Sequence, residues 1–299
     1  MYDLVIVGAG PAGISAGIYA VRRSLKTIIL EKASVGGQML LTNEIENWPG
    51  FEMISGSDLA GRMESHAKKL GVEIKTGEVI GMNLDGDVKK LTTRDGEHET
   101  KAVIIATGGQ HRKLGIKGED EFAGKGVSYC ATCDAPFFKG KTVAVVGGGN
   151  IAAEDALYLS EVASKVYLVH RKDSLRAEEA IQERLKEKGV EFILNSEVEE
   201  ILGENFVNSI KLKGGKTLEV NGVFISIGIV PSTTMAKAAG VELDDKGYVK
   251  VNREQETSVP GVFAAGDVTG GVMQISTAVG EGCIAALSAY KHVKKPYWG

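Results

Sequence analysis

The chain is poor in proline and cysteine. Of its 299 residues, 6 are proline and 3 are cysteine. Three cysteines are too few for the disulfide framework of a small secreted protein, so a reducing, cytoplasmic setting is expected. No apolar run approaches the ~20 residues of a membrane span. The N-terminal run MYDLVIVGAG has no basic region and no cleavage site, so a signal peptide is not expected there. Positive charge is not in excess either. Lys and Arg number 35 against 39 acids, for a net charge of −4, so no field suited to nucleic acid exists. Hydrophobic residues at 43% and charged residues at 25% fit an ordinary soluble protein of one large domain or two smaller ones. What the chain has in abundance is glycine: 39 residues, many clustered just after apolar runs.

Those clusters carry a repeated pattern. Leu4-Val5-Ile6-Val7 is a short apolar strand, followed by GAGPAG at 8–13, a helical stretch, and a second strand, Lys26–Leu30, ending at Glu31. In a strand–turn–helix unit of this kind, Gly8 permits the tight turn and Gly10 lets the backbone approach a pyrophosphate. Gly13 lets helix and strand pack closely. The helix start then offers free N–H groups to phosphate. The same unit recurs 139 residues later: Thr142–Val146, GGGNIA at 147–152, and Lys165–Val169 ending at His170. Each unit closes alike, with Val103–Gly108 resembling Val223–Gly228. The segments 72–100 and 190–220 alternate as antiparallel strands with Gly/Asp/Asn turns. A third segment, Val259–Asp267 with a helical pattern over about 274–292, is too short to be a domain and should return to the first unit. The fold class is therefore α/β, with two Rossmann-like three-layer nucleotide-binding domains, the second inserted into the first. The expected boundaries are 1–113 with 238–299, and 114–237.

The residue ending the second strand separates the two sites. Glu31 suits the ribose hydroxyls, whereas His170, Arg171, Lys172 and Arg176 form a basic cluster that would accept a 2′-phosphate. The alternative is a solvated basic helix start, which the matched register of the two units disfavours. Between the two fingerprints lies Cys130-Ala131-Thr132-Cys133-Asp134. A cysteine pair at this spacing is open to a redox or a metal reading. A zinc site would need two further ligands, and the remaining cysteine, Cys283, and five scattered histidines offer little. Cys283 lies on an apolar helix pattern and reads as core. Phe137 and Phe138 could equally form a docking surface or pack inside.

Over essentially its whole length the chain resembles the low-molecular-weight thioredoxin reductases. The carrying motifs are GAGPAG, GGQ (36–38), ENWPG (46–50), ATG (106–108), CATCD (130–134), GGGNIAAEDA (147–156), HRKDSLR (170–176) and AAGDV (264–268). The resemblance implies FAD in the first unit, held by Gly8, Gly10, Pro11, Ala12, Gly13, Glu31, Lys32, Gly37, Gln38, Asn47, Val79, Ala106, Thr107, Gly108, Gly266, Asp267, Gln274 and Ile275. It implies NADP in the inserted unit, held by Gly147, Gly149, Asn150, Ile151, Glu154, His170, Arg171, Lys172, Arg176, Ile227 and Gly228. It further implies a disulfide between Cys130 and Cys133, with Cys133 toward the flavin, Cys130 attacking the substrate disulfide and Asp134 handling the proton. A thioredoxin-like partner, a homodimer and rotation about hinges near 111–116 and 232–241 follow from the same likeness. Three positions depart from the family pattern: Lys172 replaces an arginine, Met273 precedes Gln274 where arginine is usual, and Ile151 replaces a threonine. Relatives that take electrons from reduced deazaflavin or ferredoxin lack the basic cluster, and a glutaredoxin-like acceptor is the other variant of this reading.

Overall fold

In the computed structural model, which describes residues 1–41 and 45–295, the apolar runs become the central strands of two units. One is Met1–Gln110 with Val230–Gly299, and the other, inserted into it, is His111–Ile229. The chain opens with β1 (Tyr2–Val7), α1 (Pro11–Arg22), β2 (Thr27–Glu31), α2 (Gly56–Lys69), β3 (Glu73–Thr76), β4 (Val79–Asn83), β5 (Lys89–Thr93), β6 (Gly96–Ile105) and β7 (Gly109–His111). The insertion supplies β8 (Val127–Ser128), α3 (Ala131–Asp134), β9 (Thr142–Val146), α4 (Asn150–Leu159), β10 (Lys165–Val169), α5 (Glu179–Glu187), β11 (Glu191–Ile193), β12 (Val198–Gly203), β13 (Val207–Leu212), β14 (Thr217–Glu219) and β15 (Gly222–Ile225). The return carries β16 (Ile229–Pro231), α6 (Thr234–Ala238), β17 (Val262–Ala264) and α7 (Ile275–Lys294).

In the first unit β1 pairs in parallel with β2 on one side and β6 on the other. β3 extends the sheet beyond β2, and β17 pairs in parallel with β6. The N-terminal half of β6 instead forms an antiparallel meander with β5 and β4. Because side chains alternate along a strand, β1 feeds two cores. Leu4 and Ile6 pack with α1 and α7, while Val5 and Val7 pack with Leu84, Leu91 and Val249. Covering both faces explains why this strand is apolar throughout. The inserted unit repeats the plan. Its parallel sheet has the order β11-β10-β9-β15-β8, beside the antiparallel β12-β13-β14. Val143 and Val145 face α4, whereas Ala144 and Val146 face the antiparallel layer.

The return crossing falls earlier than 237/238. Ala236 of α6 is buried with Val241 and Val249 in the core of the first unit, so the chain has come back by Val230. The outward crossing, at Gln110–His111, lies three residues before the expected 113/114. The crossing strands β7 and β16 pair with each other. Ser232 N donates to Gly108 O at 3.0 Å on the side of the first unit, and Arg112 N donates to Gly228 O at 2.9 Å on the other. Among the described residues no helix is long and apolar enough to cross a membrane.

Helix α7 is held against α1 at a glycine. A Cβ at Gly282 would lie 2.1 Å from Ala12 O, whereas one at Gly280 would meet nothing within 4 Å. Ser15 Oγ reinforces the contact by donating to Val279 O at 2.7 Å. Two alanine substitutions on this helix should therefore differ in sign. Gly282→Ala is expected to destabilise by about 1–3 kcal/mol through overpacking. Gly280→Ala is expected to be neutral or stabilising by up to about 1 kcal/mol through helix propensity. Thermal or urea unfolding of the two variants checks this, and equal midpoints would count against the close approach.

Candidate active site

The loops that matter in the first unit all follow the carboxyl ends of its parallel strands, where ligands bind in open α/β sheets. After β1, Gly8 adopts φ +105°, and a Cβ there would lie 2.3 Å from Ala106 O. A Cβ at Gly13 would lie 1.9 Å from Gly8 O, so helix and strand can meet only without one. Gly10 differs: a Cβ there would meet nothing within 4 Å. Its outer face is open, as a backbone that receives a pyrophosphate must be. Pro11 takes the first helical position, where its missing N–H costs nothing. After β2, the two oxygens of Glu31 accept from Ala9 N at 2.7 Å and Ala33 N at 2.9 Å. Each keeps a lone pair, and the carboxylate is held at the fingerprint turn.

Other segments close around this turn. A Cβ at Gly37 would lie 3.3 Å from Gly10 Cα, and Gly77 N donates to Glu31 O at 2.8 Å, two residues before Val79 opens β4. After β6, Ala106–Gly108 runs past Gly8, with Thr107 Oγ1 donating to Ser232 O at 2.8 Å. After β17, Gly266 packs against Ala12, the nearest approach of a Cβ there being 3.0 Å. Asp267 follows, and burial pushes its carboxyl pKa up. Two expected ligands are engaged by the protein. Gln38 Nε2 donates to Gly109 O at 2.6 Å, and Asn47 Nδ2 donates to Gln274 Oε1 at 3.2 Å. Gln274 also caps α7 in a box with Thr277. Ile275 packs against the cluster around Met39 and Leu59. Lys32 is exposed.

The second fingerprint reproduces the first with one exchange. A Cβ at Gly147 would lie 2.5 Å from Ser226 O, and one at Gly149 would meet nothing within 4 Å. Ala152 stands where the first turn has Gly13. Gly148 lies flat against the His170 ring, 2.3 Å from where its Cβ would be. His170 is buried, and its Nε2 has no partner within the protein. Its pKa is lowered, first by burial and then by the positive charges of Arg176, Arg171 and Lys172. These three are exposed, and Arg176 N donates to Gly148 O at 2.7 Å, which seats the cluster at the fingerprint. An open glycine, an orphaned buried nitrogen and three cations together fit an anionic nucleotide. Asn150 exchanges two 3.0 Å hydrogen bonds with Glu178, and Ile151 is 59% exposed. Ile227-Gly228 closes the strand end, next to Ser226.

Cys130 and Cys133 form a disulfide, with Cα atoms 5.3 Å apart. Cys130 caps α3, a helix of one turn, so the dipole acting on the sulfurs is smaller than that of a full helix. Its N–H donates to Ser128 Oγ at 3.1 Å. Thr132 Oγ1 lies 3.4 Å from Cys130 Sγ, and Asp134 N donates to Cys130 O at 3.2 Å. Phe138 is buried edge-on against Phe224, with ring centroids 5.1 Å apart, and Phe137 packs on the same cluster. Phe138 is therefore core, while Phe137 stays partly exposed. Cys283 is a half-buried free thiol on α7. Among the described residues no group of three or more His, Cys, Asp or Glu could hold a metal.

The pyridine nucleotide-disulphide oxidoreductase family model matches residues 2–282. The thioredoxin reductase of Listeria innocua serovar 6a is 45% identical over 99% of this chain and 95% of its own. That of Bacillus subtilis strain 168 is 43% identical over 99% and 96%. The chain belongs to the thioredoxin reductases of the pyridine nucleotide-disulphide oxidoreductase family. The crystal structure of thioredoxin reductase from Streptococcus pyogenes MGAS5005 matches with a TM-score of 0.94 at 42% identity, covering 99% of each chain. Membership makes the protein an oxidoreductase and implies flavin and nicotinamide cofactors.

Within this thioredoxin reductase framework, three carboxylates escaped the sequence reading. Asp155, half-buried on α4, accepts from Ser226 Oγ at 2.5 Å, and burial raises its pKa. The adjacent Glu154, favoured from sequence, is exposed. Glu119 is 2% exposed and accepts from Leu114 N, Gly115 N and Tyr129 OH at 2.7–3.0 Å. Glu281 accepts from Gly266 N at 2.7 Å. The side-by-side acids Glu154-Asp155 were a visible signal. For Glu119 and Glu281 the partners lie 4 to 15 residues away, with no local pattern to mark them.

The His170 environment sets a pH dependence. Its folded pKa lies below 6.5, so the unfolded state binds the proton more readily. The stability it contributes is present above pH 6.5 and is lost as pH falls below that value through the folded midpoint. An NMR titration of the His170 ring should give a midpoint below 6.5. A midpoint at or above that value would contradict the buried, cation-flanked setting.

Proposed function

We propose that the protein is an NADPH-dependent, FAD-containing thioredoxin-disulfide reductase, working as a cytoplasmic homodimer. Electrons from NADPH would reach the Cys130–Cys133 disulfide, with FAD as the intervening carrier, and then the disulfide of a thioredoxin-like protein. The observation that carries this reading is the Cys130–Cys133 disulfide itself, built into the same unit as a basic nucleotide turn. Bound FAD would supply a carrier able to take a hydride and pass on an electron pair. The overall balance is NADPH, a proton and a protein disulfide giving NADP⁺ and a dithiol.

The chain's own residues have distinct parts in this scheme. Arg171, Lys172 and Arg176 would hold the 2′-phosphate, and the open face of Gly149 would receive the pyrophosphate. Gly10 and Glu31 would do the equivalent work for FAD at pyrophosphate and ribose. Cys133 takes the electrons and Cys130 attacks the partner's disulfide. The thiolate released at each exchange must be protonated before product leaves, and Asp134 is the adjacent acid for that step. The two crossings, at 110/111 and 229/230, are where the units would turn to present first one substrate and then the other.

Stopped-flow reduction of the bound flavin by NADPH, NADH and reduced deazaflavin tests the donor. Rapid reduction by NADPH alone is expected. Removing Arg171 and Arg176 together should raise KM for NADPH at least tenfold, since each charge-assisted hydrogen bond is worth about 1.5–3 kcal/mol. KM for NADH should barely move. Equal losses for both nucleotides would remove the 2′-phosphate assignment. Cys133→Ser should abolish reduction of a thioredoxin while leaving flavin reduction by NADPH intact. A variant that still reduced the acceptor would sink the assignment. The dithiol potential should fall near that of thioredoxin, roughly −270 mV.

A further inference from the structure

The turn Gly266-Asp267 lies at the end of β17, where the flavin reading above places a cofactor contact. Gly266 has φ 81° and ψ −162°, a left-handed conformation that glycine alone adopts readily. Such a residue is also free to leave that conformation, so the turn needs an anchor. The anchor comes from α7. Gly266 N donates to Glu281 Oε2 at 2.7 Å. Thr269 Oγ1, at the far end of the same turn, lies 3.2 Å from that oxygen and 3.0 Å from Gly266 O. One carboxylate oxygen thus gathers both ends of the turn that carries Asp267.

The next residue fixes where that oxygen stands. Gly282 lets α7 sit against Ala12 O, and Gly266 packs on the Ala12 side chain. Residues 281 and 282 therefore tie α7 to both the fingerprint turn and the Asp267 turn. The placement is not one that stability alone favours. Glu281 is half-buried, and burial and the neighbouring Asp267 carboxylate both raise its pKa. Two carboxyl groups partly out of water and close together cost free energy that an apolar or amide side chain would avoid.

We infer that Glu281 is a positioning residue for the flavin, whose carboxylate sets the Gly266–Thr269 turn so that Asp267 meets the cofactor. This inference rests on the flavin reading, and the test separates the two. Flavin-free protein is titrated with FAD, following flavin fluorescence and the visible spectrum, for wild type, Glu281→Ala, Glu281→Gln and Thr269→Val. Glu281→Ala should weaken FAD binding roughly ten- to hundredfold, the loss of a hydrogen bond to a charged group. Glu281→Gln should stay within about threefold of wild type, because both bonds fall on one oxygen that an amide also possesses. Thr269→Val should lie between, without disturbing α7. Wild-type protein that bound no FAD would overturn the flavin reading itself. FAD binding equal in wild type and Glu281→Ala would overturn this inference alone. So would a Glu281→Gln protein as weak as the alanine variant, since the oxygen would then not be what matters. Should Glu281→Ala fail to fold by circular dichroism, the glutamine and Thr269→Val variants decide: tight binding by the first with weakened binding by the second supports the inference, and unaltered binding by Thr269→Val overturns it.

Discussion

The contact on which the first unit depends is the approach of α1 to the backbone of Gly8. A Cβ at Gly13 would fall 1.9 Å from Gly8 O, inside any possible van der Waals distance. That approach aims the start of α1 at the loop after β1. It also lowers α1 far enough for α7 to cross it at Gly282, with the Gly266 turn resting on Ala12. Three glycines distant in sequence thus serve one geometric requirement: no side chain can come between α1 and its neighbours. The inserted unit solves the same problem differently. Ala152 replaces the third glycine, and the room it needs comes from Gly147, where a Cβ would lie 2.6 Å from that of Ala152. The two turns are alike in purpose and unlike in which residue yields space.

The same backbone plan is then given opposite electrostatics. At the end of β2 a carboxylate is pinned by two backbone N–H groups. At the end of β10 the equivalent position is a buried imidazole with an unpartnered nitrogen, and three cations follow it. A neutral ring can occupy this place at low cost, whereas a second carboxylate would oppose a phosphate. The ring also covers Gly148, whose missing side chain is what lets it lie flat. What differs between the two turns is the charge the strand end carries, with the glycine framework common to both.

How much of this could be read from the sequence follows from the range over which each feature acts. The fingerprints were legible because glycine spacing, flanking strands and the terminal acid or base all fall within about thirty residues. The three-layer fold was legible because strands covered on both faces are apolar throughout, as Leu4–Val7 and Val143–Val146 are. The return crossing was misplaced because α6 is short and only Ala236 marks its core-facing side. Phe138 was ambiguous because its burial depends on Phe224, over eighty residues away. Glu119 and Glu281 were invisible because an acid that caps a distant backbone N–H looks like any surface acid until the chain is folded.

The dithiol gains its meaning from its flanks. Upstream, Ser128 caps the Cys130 N–H, and Tyr129 is tied through its hydroxyl to the buried Glu119, which also holds Leu114 and Gly115. Downstream, Ala135 and Phe138 are buried in the core of the same unit. Both ends are therefore fixed by contacts that do not involve the sulfurs. A disulfide closing so small a loop restricts the unfolded chain little, and the loop-entropy relation gives it only about 2 kcal/mol. A frame already held on both sides has little use for such a staple. Breaking the bond would remove about 2 kcal/mol by the same relation and leave the flanking contacts in place. A bond that structure can spare is one that can be opened and closed repeatedly, which is what a carrier of electron pairs requires.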